Sequence, residues 1–163
     1  MHQKTTTILL FLLVFINTGL SYAETIIYNT AITAKPSTID PIKSRNTHSI
    51  HIGSQVHEGL LKLDDSYNVV PAVAESWKII QTGKAIEFVI RDNARFHNGN
   101  KIEPEDVVYS LSRIIKNEED FLFFRSFSNI LGAIDYKLAK TNHVKGIYKS
   151  GSNKVTIELN HSD

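Results

Sequence analysis

The chain has 163 residues, no cysteine and a formal net charge of +1, from 18 Lys and Arg against 17 Asp and Glu. With charge that balanced and no basic run, it lacks the electrostatic footprint of a nucleic-acid binder. The missing cysteine excludes a disulfide framework, a thiol nucleophile and a cysteine for lipid attachment, so stability has to come from a packed core.

The first stretch, "MHQKTTTILLFLLVFINTGLSYA", carries Lys4, an apolar core from Ile8 to Ile16 and the small-residue pattern Ser21-Tyr22-Ala23. That is the anatomy of a secretory signal peptide cut after Ala23. The apolar run is about half of the roughly 20 residues a spanning helix needs, which argues against a membrane anchor. A strand is expected over 25–33, where β-branched and aromatic residues cluster, ending in a loop punctuated by Pro36 and Pro41. Asn46 or Thr47 then caps a helix with Ile52, Val56 and Leu60 on one face and Gly59 as its stop. Asp64-Asp65-Ser66 reads as a loop tip, and Val69-Val70 leads into Pro71. "AVAESW" reads as a helical turn, followed by strand from Trp77 to Ile80. "KAIEFVIRD" alternates as a strand, with Ile86, Phe88 and Ile90 on one face and a partner strand expected around Phe96. The strongest helix is "PEDVVYSLSRII", striped by Val107, Leu111, Ile114 and Ile115. From Asn117 to Thr141 the pattern dissolves into aromatic clusters and loops. "KVTIELNH" closes the chain as a strand with Val155, Ile157 and Leu159 on one side.

The polar run from His97 to Asp106 invites a catalytic reading, but each residue has a structural use. Asn98-Gly99 is a turn signal, since both residues tolerate positive φ. Pro104 suits a first helical turn. Glu105 and Asp106 sit at the positive end of the helix, Arg113 and Lys116 near its negative end. His48 and His51, one turn apart with Glu58 on the same face, have metal-ligand spacing, yet nothing marks a third ligand or a supporting shell. They read as ordinary surface or half-buried histidines, and no metal or cofactor is expected. No Gly-x-Ser-x-Gly elbow or Walker spacing occurs, so an enzyme is not the reading.

The same run also carries a likeness. "FHNGNKIEPEDVVYSLSRI" resembles the signature segment of the family 5 extracellular solute-binding proteins, the peptide, nickel and oligosaccharide carriers of ABC importers. "STIDP", "VHEGLLKLDDSYNVVPAVAESWKI" and "ILGAIDYKLAKTNHVKGIYKSGSNKVTIEL" resemble further family segments in the family's order, from Ile26 to about Leu159. Glu103 departs from the Thr or Ser that would cap the helix, which weakens the cap, and His57 stands where an aromatic is usual. Members of the family are several times longer.

The resemblance implies an α/β chain with the type II periplasmic-binding-protein fold, present in part. Residues 1–23 would be the cleaved signal peptide, and 24–163 the N-terminal part of lobe I of a two-lobed carrier, incomplete at its C-terminus. It implies a monomer in the periplasm that takes an oligopeptide or other small solute between its lobes and delivers it to an ABC permease in the inner membrane. Thr33, Ala34, Lys35 and Ser37, at the strand-to-loop exit, are the expected ligand contacts. Arg125, among aromatics, is a candidate clamp for a carboxylate. The alternatives are a subunit presenting ligand to a membrane sensor, and a secreted hydrolase.

Overall fold

The computed structural model describes residues 31–117 and 124–162, and from Thr33 onward they form one compact unit. The expected signal peptide and residues 25–30 of the expected first strand lie outside the described residues, and the described 31–33 are not in a strand.

After an irregular segment, helix α1 runs Thr47–Val56. Its cap is the expected one: Asn46 is extended, and its side chain accepts the N–H of Ser49 at 2.8 Å. Its end is not the expected one. The chain leaves the helix at His57, because the carbonyls of Gly59 and Leu60 are taken by the N–H groups of Ala72, Val73 and Ala74. Pairing across the fold outcompetes the apolar spacing of Val56 and Leu60, and the buried positions of α1 are Ser49 and Gly53.

Strands β1 (Leu61–Leu63) and β2 (Val69–Pro71) form a small antiparallel hairpin. The Asp64 carboxylate closes its turn by accepting the N–H groups of Ser66 (2.8 Å) and Asn68 (2.9 Å). Those bonds hold its carboxyl below the usual carboxylate range, the bond from Asn68 foremost.

Among the described residues the main sheet has four antiparallel strands in the order β3-β4-β6-β5, with β3 at Ala74–Ile80, β4 at Ala85–Ile90, β5 at Ile147–Gly151 and β6 at Lys154–Glu158. Two expectations fail here. "AVAESW" enters strand β3 at Ala74 instead of making a helical turn, because that stretch pairs with β4 from Ala74↔Ile90 onward. The other partner of β4 is β6, not the run near Phe96. Phe96 instead closes a tight turn, its N–H donating to Asn100 O at 2.8 Å. Within that turn Gly99 alone takes positive φ, at 87°.

Register assigns the two faces of the sheet. Phe88 lies opposite Val155, and Ile157 lies opposite both Ile86 and Ile147, so these share one face, as the alternation in both strands predicts. Helix α2, Pro104–Asn117, packs on that face. Ile90, Val107, Ile115, Ala133, Val144, Ile147 and Val155 form the core beneath it. Each large aliphatic side chain there contributes about 1.5–3 kcal/mol. The start of α2 compensates for the missing Thr or Ser: Asp106 Oδ2 accepts the Glu103 N–H at 2.9 Å, half of a capping box. The opposite face is mixed: Ile80, Ala85 and Val89 share it with Glu87, which is held between Lys78 (3.0 Å) and Lys154 (3.1 Å). Trp77, which the family context would place in the core, is 36 % exposed and sits on β3, an edge strand among the described residues.

The stretch after Asn117 contributes more than loops. Phe124 and Phe127 pack on the core, and a short helix α3, Ala133–Lys137, buries Ala133 against it.

Candidate functional site

The expected contact loop, Thr33 to Ser37, is exposed apart from half-buried Pro36, and the structure shows what holds it. Ser49, fully buried in α1, accepts the N–H of Ser37 at 3.1 Å and of Thr38 at 3.4 Å. Asn46 donates its side-chain amide to Ser37 Oγ at 2.8 Å. Two residues on, Ile39 O lies 2.9 Å from His57 Nε2. A carbonyl only accepts, so His57 carries its proton on Nε2.

Asp40 completes the anchorage. Its carboxylate takes both terminal nitrogens of Arg113 on α2, one bond measuring 3.2 Å, and also accepts the Ile42 N–H. The Arg113 guanidinium holds the Asp40 carboxyl below the usual carboxylate range, while Asp40 raises Arg113 further. Bidentate pairing of this kind fixes orientation as well as charge. Asp40 and Arg113 were legible separately, as part of the family-like "STIDP" and as a residue near a helix end. Their partnership spans 73 positions and leaves no signal in one sequence.

Beside this loop lies an apolar cleft of about 420 Å³ between the end of α1, the Phe96–Ile102 turn and α2. Pro41, Leu60, Val73, Phe96, Ile102, Val107, Leu111 and Ile114 line it, with His57, Glu58, Asp106 and Ser110 as its polar members. Its size suits a small organic group. Glu58 is engaged with Arg91 at 2.8 Å.

Arg125 lies elsewhere in the chain, directly after Phe124. Its side chain is exposed, its carbonyl accepts from the Ser128 hydroxyl at 2.8 Å, and no hydrogen bond or ion pair between described residues joins it to the Thr33–Ser37 loop. Among the described residues no three His, Asp or Glu side chains are placed to hold a metal ion.

An antiparallel sheet covered by one helix, with an anchored exposed loop beside it, matches the type II periplasmic-binding-protein fold. The unit superposes on the murein tripeptide binding protein MppA of Escherichia coli with a TM-score of 0.72, at 25% identity, over 81% of this chain and 26% of that one. Residues 68–163 match the model for bacterial extracellular solute-binding proteins, family 5, and the chain belongs to that family.

Two curated relatives share this likeness in sequence. The periplasmic murein peptide-binding protein MppA of Escherichia coli is 28% identical over 127 residues, which cover 71% of this chain and 24% of the relative. The dipeptide-binding protein DppE of Bacillus subtilis is 31% identical over 81 residues, 50% of this chain and 15% of the relative. The chain thus spans about a quarter or less of the length of these relatives.

Proposed function

We propose that this chain is the substrate-binding component of an ABC importer that takes up peptides. In this reading residues 1–23 are a signal peptide removed after Ala23. Residues 24–163 then supply the first part of lobe I of a periplasmic carrier. The observation that carries the proposal is the family 5 match over residues 68–163, joined to relatives whose names give murein peptides and dipeptides as their ligands.

The chemistry is recognition without covalent steps. Thr33, Ala34, Lys35 and Ser37 form the ligand loop, and the main-chain groups of its first three residues are indifferent to side-chain identity. Arg125 is proposed as a second contact, a guanidinium for a terminal carboxylate. Closing a second lobe over the ligand excludes water, and the permease then meets the closed form.

The test is uptake of radiolabelled trialanine by cells with and without the gene, combined with fractionation of the gene product. Loss of uptake, restored by complementation, with product in the periplasm, is the expected result. Unchanged uptake, or product retained in the cytoplasm, refutes the carrier.

A further inference from the structure

Ser49 sits at the third position of α1 with its side chain fully buried. A hydroxyl offers two acceptor positions and one proton. Here both acceptor positions are used, by the N–H groups of Ser37 and Thr38. A further hydrogen bond joins the two hydroxyls, Ser49 Oγ and Ser37 Oγ, 3.2 Å apart, and Ser37 Oγ also accepts from Asn46.

The loop changes character at this point. From Ser37 onward it is fixed by Ser49, then by His57 at Ile39, then by Arg113 at Asp40. Before it, Pro36 has no N–H to give, and Thr33, Ala34 and Lys35 make no main-chain hydrogen bond to a described residue.

We infer that Ser49 is a positioning residue: it pins the main chain at Ser37 and Thr38 so that Thr33, Ala34 and Lys35 present to a ligand N–H and C=O groups that bond no described main-chain group. This rests on the reading of 33–37 as the ligand loop, and it sharpens that reading. The N–H of Ser37 is committed to the fold and its hydroxyl to Ser49 and Asn46. Ser37 is thus the fixed end of the loop, and contact passes to the three residues before Pro36.

The experiment is hydrogen exchange, resolved to single amides by NMR, on the full chain as wild type, Ser49→Ala and Ser49→Thr. Ser49→Ala is expected to lower protection at Ser37 and Thr38 by roughly tenfold, leaving β4 and β6 unchanged. Ser49→Thr, which keeps the hydroxyl, is expected to restore it. Unchanged protection at Ser37 and Thr38 overturns the anchor, and so does an equal loss in β4 and β6, which would make Ser49 a general fold residue.

Trialanine at millimolar concentration then separates the anchor from the ligand. Shifts at Ala34 and Lys35 in the wild type, lost in Ser49→Ala and regained in Ser49→Thr, tie the two together. Equal shifts in Ser49→Ala overturn that tie. No shift in the wild type overturns the ligand-loop reading and the functional half of the inference, while the exchange pattern still decides whether Ser49 anchors the loop.

Discussion

Gly53 stands in the interior of α1 and is buried, yet a methyl group built on its Cα meets nothing within 4 Å. The backbone there is helical, so alanine enters without strain. Replacing glycine by alanine inside a helix gains about 0.8–1 kcal/mol, mostly by narrowing the unfolded ensemble. Because the added methyl touches no neighbour, neither a clash nor a large burial gain alters that figure, and Gly53→Ala should stabilise by about 1 kcal/mol. For a chain of this size the melting temperature should rise by roughly 2–5 °C. Thermal unfolding followed by circular dichroism tests this, with a urea titration in which the midpoint rises at unchanged slope. A lower melting temperature would refute the reasoning. It would mean that another element closes on Gly53 in solution, making the Ser49–Gly53 face of α1 a packed surface.

Gly146→Ala should do the opposite: its Cβ would lie 2.6 Å from Glu158 O and 2.8 Å from Leu131 Cβ, so backbone must move. A loss of about 2–4 kcal/mol is expected in urea unfolding, and a midpoint equal to wild type refutes it. Ile115→Ala removes a side chain with no exposed surface and should cost about 3–4 kcal/mol by the same assay; a cost below about 1 kcal/mol would show that α2 does not seat on the sheet as described. Asp40→Asn should lower stability at pH 7 by at most about 1 kcal/mol, since the pair is partly exposed. Folding lowers the Asp40 pKa, so the pair's contribution is complete above the unfolded carboxylate value of about 3.9 and fades as pH falls through the lower folded value. Melting temperatures measured from pH 7 down to pH 3 should therefore converge for wild type and Asp40→Asn, and a gap that widens in acid refutes the assignment.

What the sequence made legible was written in neighbouring residues. Pro104, Glu105, Asp106 and the stripe from Val107 to Ile115 specify α2 within one stretch, and the helix spans Pro104–Asn117. Asn46 caps α1 through a bond three residues long. The failures lie where a distant partner decides. Ala74, Glu75 and Ser76 have little local strand character, yet the stretch enters the sheet because Ile90 and Val89 are there to receive it. Gly59 and Leu60 abandon the helical pattern because Val73 and its neighbours draw on their carbonyls. Helix α3, five residues long, is too short for periodicity to register. The candidate site divides in the same way: an exposed loop after Thr33 was expected from its turn residues, but Ser49 and Arg113 hold it across 12 and 73 positions.

That division bears on how such a loop could serve a ligand. Ordering one residue costs about 1–2 kcal/mol, and a ligand that had to order the whole segment from Thr33 to Asp40 would lose most of its affinity doing so. Here the fold has already ordered the second half through α1, His57 and α2. Pro36 restricts the chain at the boundary, since its own φ is fixed and it biases Lys35 toward extended conformations. An extended Lys35 directs its N–H and C=O to the same side of the chain, the arrangement with which one residue of an extended ligand can exchange both main-chain bonds. On the proposed reading of 33–37 as the ligand loop, binding then has Thr33 and Ala34 left to order. On that reading the anchors, which make no contact with ligand, act on affinity by lowering the entropy that contact must overcome.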